Sequence, residues 1–370
     1  MKKKVAVVFG GRSGEHEVSL VSASSIVKAM SRDKYEIFEI GITHEGKWLV
    51  SDEKSALEAF KSGQHDELFE AFISTDPNRP GVVFGDGKFQ QIDVFFPVLH
   101  GPFGEDGTIQ GLFEMINIPY VGCGVLASST AMDKLQCKAI WESASLPVVP
   151  YVGINRTAWE FKKEEIIENV MEKIGVPCFV KPANMGSSVG ISKAKTKEQL
   201  VEAIDLAAGF DRRILIEEAL EVREIECAVL GNDDPVAAPI GEVIVGGEFY
   251  DYNDKYVNGV SATQVPADLP GDVMEKIKGI CLKAYKILDC QALSRVDCFI
   301  DQKTGNVYLN EINTMPGFTS ISMYPKMMEA HGIHYQELID ELIRFAFERF
   351  EEKNRNKISF DSGSDWYQNA

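Results

Sequence analysis

Residues 295–314 read Arg-Val-Asp-Cys-Phe-Ile-Asp-Gln-Lys-Thr-Gly-Asn-Val-Tyr-Leu-Asn-Glu-Ile-Asn-Thr. The pattern predicts two strands around a Thr-Gly-Asn turn, with successive side chains on opposite faces. Alternation places Arg295 and Asp297 on one face of the first strand, and Glu311 and Asn313 on one face of the second. A turn symmetric about Thr304 sets Asp297 opposite Glu311 and Arg295 opposite Asn313. Carboxylates directly opposite on a sheet repel each other. A divalent cation removes that penalty, and two carboxylates with an amide oxygen suit a hard ion such as Mg2+. The plain alternative is an exposed polar face.

Outward from this hairpin the chain is an ordinary globular sequence. Its 370 residues suggest two or three domains. The net charge of −18 argues against nucleic acid or an acidic membrane as a partner. Seven cysteines lie scattered in mostly apolar runs with no CxxC pair, so reduced core thiols in the cytoplasm are expected. Met-Lys-Lys-Lys resembles the start of a signal peptide, but the apolar run 5–9 is too short to continue one. No apolar run approaches the roughly 20 residues that span a bilayer.

The first third alternates strand and helix. Strands are expected at 5–9, 36–42, 93–99 and 119–122, with helices at 18–30 and 108–116, the rhythm of an open, mainly parallel sheet. Residues 44–92 are polar and less regular, and no chemistry is placed there. A helix is expected over 128–141, followed by a boundary at Pro147 and Pro150. Beyond it come a helix at 162–174, a strand at 176–182, a loop at 184–192, a helix at 197–208 and a strand at 213–219. Strands at 227–230 and 236–245, a polar loop at 246–264, a helix at 272–287, the hairpin and a helix at 333–350 complete the reading. Residues 351–370 read as a polar, mobile tail.

Five further stretches can carry chemistry. Phe9-Gly-Gly-Arg-Ser-Gly-Glu-His-Glu-Val-Ser19 joins the first strand to the first helix, where doubly wound sheets bind ligands. It is not GxGxxG, so a dinucleotide site is weakly supported; Glu15 either faces a crevice or favours the helix N-terminus. His100-Gly-Pro-Phe-Gly-Glu-Asp-Gly107 follows another strand, with glycines that let backbone approach a ligand or that belong to an ordinary loop. Lys181-Pro-Ala-Asn-Met-Gly-Ser-Ser-Val-Gly190 lacks the Walker order, yet its amides, hydroxyls and lysine can cradle phosphate; the alternative is a glycine-rich hairpin tip. Phe249-Tyr-Asp-Tyr-Asn-Asp-Lys-Tyr256 reads as a lid or a plain surface loop. The strand 214–220, Ile-Leu-Ile-Glu-Glu-Ala-Leu, offers backbone edges that can hydrogen-bond a purine.

Gly10-Gly-Arg-Ser-Gly-Glu-His-Glu-Val-Ser-Leu20, His100-Gly…Gly-Glu-Asp-Gly107, Lys181-Pro…Gly-Ser-Ser-Val-Gly190, Arg295-Val-Asp297 and Asn310-Glu-Ile-Asn-Thr-Met-Pro-Gly-Phe-Thr-Ser320 occur together and in order. In this combination the chain, from about residue 4 to 350, resembles the D-alanine–D-alanine ligases of the ATP-grasp superfamily. The resemblance implies an α/β, three-domain ATP-grasp architecture with an N-terminal open parallel sheet. The expected units are an N-terminal substrate-binding domain at 1–127, a central subdomain at 128–221 and a C-terminal subdomain at 222–350 holding the metal site and the lid loop 246–264. It implies ATP-dependent ligation of two D-alanine molecules through an acyl phosphate for cell-wall precursor synthesis. ATP is then the co-substrate, with two Mg2+ ions for which Mn2+ can substitute, in a cytoplasmic homodimer.

By matching positions, Lys134, Lys181 and Ser188 would hold ATP, with Glu217, Glu218, Ala219, Leu220, Glu224, Phe249 and Phe299 around adenine and ribose. Glu218 stands where some relatives have lysine. Asp297, Glu311 and Asn313 would bind the metal, and Arg295 with the Gly317 N–H would form the oxyanion site. Glu15 would pair with the first substrate's ammonium and connect through Ser187 to Tyr256, with His100 and Val18 near that substrate. Lys255, Ser322 and Met323 would meet the second substrate. A D-alanine–D-serine or D-alanine–D-lactate ligase is the sibling alternative, which the Lys255-Tyr256 pair and Met323 disfavour. A nucleotide-binding oxidoreductase is the alternative from another class, and it lacks GxGxxG.

Overall fold

The apolar run 5–9 is completely buried, and it forms the heart of the first sheet. The structure is a computed structural model and describes residues 2–51, 54–244 and 262–359. The first unit runs β1 (Lys3–Gly10), α1 (His16–Ala29), β2 (Tyr35–Ile42), β3 (Trp48–Val50), α2 (Ala56–Ser62), β4 (Phe69–Ile73), β5 (Gly81–Phe84), β6 (Phe89–Gln91), β7 (Val94–Val98) and α3 (Thr108–Met115). Its strand order is β6-β5-β4-β3-β2-β1-β7. Only β2, β1 and β7 are parallel. β1 and β7 carry helices on both faces and so read as continuous apolar runs, whereas β2 carries Glu36 and Glu39 at exposed and half-buried positions. From β2 outward the pairing is antiparallel. Residues 44–92, read as irregular, thus extend the sheet as a meander of short strands. Each strand is too brief and too exposed to show a period. The stretch 119–122 makes a single bridge, Tyr120 to Phe95, rather than a strand.

The helix expected over 128–141 is two helices, α4 (Val125–Met132) and α5 (Lys134–Ser143). Asp133 divides them: its backbone is extended and its carboxylate accepts the Gln136 N–H at 2.9 Å, capping α5. The break puts Lys134 in the first turn of α5, where its own N–H donates to Ala183. The central sheet follows, from β8 (Tyr151–Asn155), α6 (Arg156–Phe161), α7 (Lys163–Lys173), β9 (Cys178–Pro182), β10 (Ser192–Ala194), α8 (Lys197–Phe210) and β11 (Arg213–Glu218). It is antiparallel in the order β10-β9-β11-β8. The sequence reading anticipated neither β8 nor α6. Helices α7 and α8 cover one face of this sheet, with Val170, Leu200 and Ile204 sealed against Val180, Ile214 and Ile216.

The third sheet is built from β12 (Val222–Leu230), β13 (Val236–Ala237), β14 (Gly241–Ile244), β15 (Ala262–Gln264), α9 (Gly271–Ile287), β16 (Leu293–Asp301), β17 (Val307–Asn313), α10 (Met323–His331) and α11 (Tyr335–Lys353). The strand expected over 236–245 is broken into β13 and β14. Along β12 and β16, Ile225, Cys227, Val229, Val296, Cys298 and Ile300 pack on α9 with the fully buried Trp141. Period two sends Glu224, Glu226, Arg295, Asp297 and Phe299 to the other face. Helices α10 and α11 share a core with β1 and β7, joining the first and third sheets. All seven cysteines are free and buried. No helix among the described residues is long and apolar enough to cross a membrane.

Candidate active site

Arg295 pairs with Asn313 and Asp297 with Glu311, the partners the sequence predicts. The route to that register is different. Nearer the turn, Cys298, Phe299 and Ile300 pair with Leu309, Tyr308 and Val307, one step tighter, and a bulge beside Asp297 leaves Asn310 unpaired. Asn310 and Glu311 are consequently both half-buried, a break in alternation that a bulge produces. Asp297 accepts from Arg295 Nε and Nη2, each at 2.7 Å, and from Asn313 Nδ2 at 3.0 Å. Arg295 also lies 3.3 Å from Glu226 on β12. Burial alone would lower the guanidinium pKa, but Asp297 and Glu226 raise it well above its ordinary value.

The central sheet presents cations to this face. Lys134 Nζ is 3.3 Å from Glu311 and donates to the Met185 carbonyl at 2.9 Å. Lys181 on β9 lies over the Phe299 ring, 6.0 Å from its centroid, and pairs with Glu217 on β11. The other oxygen of Glu217 is 3.2 Å from Lys138, whose side chain is 1% exposed. Burial would push the Glu217 carboxyl up, but the charges of Lys181 and Lys138 overcome it and hold the pKa at about 2. Glu218 is exposed, while Ala219, Leu220 and Glu224 are half-buried along the strand edge. The N–H groups of Glu218 and Ala219 are used by Pro150 and Pro177.

A second cluster forms where the loop after β1, the loop after β7 and the Gly-Ser loop meet. The Ser187 hydroxyl donates to Glu15 Oε1. A side chain at Gly101 or Gly186 would meet Glu15 Oε2 at 2.6 and 2.8 Å and displace that carboxylate, and Gly101, with a φ of +74°, also needs glycine for its backbone. Ser187 and Ser188 are themselves left-handed, at φ 50° and 59°. His100 is buried, with Nε2 3.1 Å from Ser22 Oγ and Nδ1 3.0 Å from the Met315 carbonyl. Burial pushes its pKa down against the raising effect of Glu15. Glu105 accepts the Gly101 N–H at 2.8 Å and the Met315 N–H at 3.0 Å. Met315 is therefore gripped at both ends of its backbone by the first unit. Burial and nearby Glu15 raise the Glu105 carboxyl to about 8, against those N–H groups and Arg295.

Gly317 lies near Ser322, whose hydroxyl accepts the Thr319 N–H at 3.1 Å at the head of α10. Val18 is half-buried in the first turn of α1. Met323 is buried in the core beside Gly241. Phe249, Lys255 and Tyr256 lie outside the described residues. Sequence reasoning missed Lys138, Glu105 and Glu226. Lys138 sits one helical turn from Lys134. Glu105 is inside a quoted loop but drew no role. Glu226 follows Glu224 by two, the spacing of one strand face.

Among the described residues no three His, Cys, Asp or Glu side chains gather to hold a metal. Two carboxylates and an amide are instead a partial donor set, of the kind Mg2+ uses when phosphate oxygens and water complete its shell. Each carboxylate is already paired with a cation, Arg295 or Lys134, so a divalent ion would share these carboxylates with those side chains.

Known proteins resemble this chain along its length. The family described as D-ala D-ala ligase N-terminus matches residues 4–123, and the D-ala D-ala ligase C-terminus matches 140–344. The D-alanine–D-alanine ligase of Acetivibrio thermocellus is 50% identical over 97% of this chain and 99% of its own. That of Heliobacterium modesticaldum is 48% identical over 96% and 98%. Among solved structures, the VanG D-Ala:D-Ser ligase of Enterococcus faecalis superposes with a TM-score of 0.84 at 35% identity, covering 94% of this chain and 100% of that one. The Coxiella burnetii D-alanine–D-alanine ligase gives 0.82 at 34% identity, covering 96% and 98%. Matched along nearly its whole length, the chain belongs to the D-alanine–D-alanine ligase family and has its ATP-grasp fold.

Proposed function

We propose that this chain joins two D-alanine molecules at the expense of ATP, by the chemistry its cleft is charged to perform. The observation that carries the reading is the contact across the cleft. Lys134 of the central unit pairs with Glu311 of the third sheet at 3.3 Å, so a cation suited to phosphate and a carboxylate suited to a metal meet where the two units face each other. A carboxylate is a poor electrophile, and its phosphorylation by ATP creates a leaving group. Lys134, Lys181 and Ser188 orient the phosphates, while Glu217, Ala219, Leu220, Glu224 and Phe299 receive the nucleoside. Asp297, Glu311 and Asn313 would hold the divalent cation, Mg2+ with Mn2+ as substitute, and that ion would supply charge neutralisation for the phosphates.

Glu15, steered by Ser187, takes the ammonium of the first D-alanine, and His100 stands beside it as a neutral imidazole. The second D-alanine attacks the acyl phosphate with its amine, and its carboxylate lies toward Ser322. Arg295 and the Gly317 N–H receive the oxyanion of the tetrahedral intermediate. The division at 127 and 221 assigns the first substrate to the N-terminal unit and ATP to the space between the other two. A cytoplasmic homodimer making cell-wall precursor accords with this role. The curated relatives at 48–50% identity are named D-alanine–D-alanine ligases, which supports D-alanine at the second position. Phosphate release from ATP, measured side by side with D-alanine, D-serine, D-lactate and L-alanine, tests the reading. D-alanine should give the fastest turnover, and a preference for D-serine or D-lactate would replace it with the sibling ligase.

A further inference from the structure

Glu226 completes a row of carboxylates that runs straight across three strands. It is registered with Asp297, which is registered with Glu311. Like charges on neighbouring strands repel, and the row is held together by cations set between its members. Lys134 serves Glu311, and Arg295 serves both Asp297 and Glu226. Arg295 is also shared unevenly. Its Nε and Nη2 each donate to Asp297 at 2.7 Å, while Glu226 waits 3.3 Å from the same Nε. Both oxygens of Asp297 accept from the guanidinium, so a divalent cation that binds there competes with Arg295 for the same carboxylate.

From this geometry we propose that Glu226 is a positioning residue, the second acceptor that keeps Arg295 in place when Asp297 turns to the divalent cation. The inference rests on the metal placement proposed above. Glu226 is not itself a ligand in this scheme. Its side chain is 9% exposed and Arg295's is 19%, so the pair is shielded from water and neither can readily exchange its partner for solvent. With Glu226 present, Arg295 releases Asp297 without becoming an unpaired buried charge. Without it, every bond the cation makes to Asp297 strands the guanidinium.

The test is Mn2+ binding to the full-length protein in the presence of ADP, followed by the loss of the free-ion paramagnetic signal. Asp297→Asn should abolish tight binding; if it does not, the metal placement fails and the proposal with it. Given that control, Glu226→Gln keeps the shape and a neutral acceptor but weakens a charge-assisted bond, and should loosen Mn2+ about five- to tenfold. Glu226→Asp, which retains charge at shorter reach, should fall between wild type and Glu226→Gln and serves if the amide variant does not fold. In an Arg295→Ala background Glu226→Gln should change Mn2+ affinity less than about twofold. An equal loosening in both backgrounds would show that Glu226 acts on the metal by its own charge, and no loosening in either would show that it does nothing for Arg295. Each of those results overturns the proposal while leaving the metal placement intact.

Discussion

Asp297 stands opposite Glu311 only because Asn310 is squeezed out of the ladder between them and the turn. With an unbroken ladder the tighter register at the turn would carry through, and Glu311 would pair elsewhere. Deleting Asn310 should therefore join the two registers into one unbroken ladder, with Leu309 still on Cys298 and Glu311, now the next residue, still on Asp297 and on the same face. The expected result is a folded protein that keeps ligase activity within about tenfold of wild type, measured as phosphate release. Loss of activity in a folded variant would show that the bulge itself, and not only the pairing it permits, sets the site.

Asp297→Asn and Glu311→Gln should each cut turnover by several orders of magnitude while leaving the protein folded. Phosphoryl transfer would lose its main charge neutralisation. Circular dichroism verifies the fold, and phosphate release at saturating Mg2+ measures the loss. Near-normal turnover in either variant removes that residue from the metal site.

Glu217 should leave a signature in acid. Its folded pKa, about 2, is depressed below the ordinary 4.5, so the stability it contributes is complete above pH 4.5 and disappears as pH falls toward 2. The linkage amounts to about 3 kcal/mol. Urea midpoints of wild type should decline through this window, and Glu217→Gln should decline less steeply, though from a lower starting point because two buried lysines lose their counter-charge. Identical slopes would exclude the ion triad as their source.

The grip of Glu105 and His100 on Met315 should matter to chemistry more than to nucleotide binding. Glu105→Gln should lower kcat by about tenfold with KM for ATP nearly unchanged, since the loop carrying Gly317 loses one backbone anchor. The pKa of Glu105 is raised from 4.5 to about 8, so its ionisation costs stability as pH climbs through that range. Glu105→Gln should accordingly lose less stability than wild type as pH rises from about 5 to about 8, with the two slopes converging above that. A variant with an unchanged kcat would reduce Glu105 to a structural brace.

D-alanine labelled with 18O in its carboxylate should pass label to the released phosphate during turnover with ATP. Unlabelled phosphate would exclude the acyl-phosphate route. Arg295→Ala should slow ligation by about 100- to 1000-fold, the loss seen when one oxyanion donor is removed.

The sequence by itself determined which residues could meet. The alternation of 295–314 put Arg295, Asp297, Glu311 and Asn313 on one face, and glycine-rich loops after apolar strands marked the other three site segments. Such patterns are local and survive in one dimension. It also identified the buried strand at 5–9 and the long helices, whose periods are strong enough to read. What it left open depends on neighbours distant in the chain. The antiparallel meander at 44–92, the break at Asp133 and the split of 236–245 follow from short pairings and caps that leave little periodic trace. Tertiary structure alone decided that Lys138 joins Lys181 on Glu217, that Glu105 reaches Met315 across 210 residues, and that Glu226 shares Arg295 with Asp297. The physical reason is common to all three. A charge or an acceptor is written in the sequence, but its partner is chosen by which sheet or loop closes against it, and that choice is made by packing.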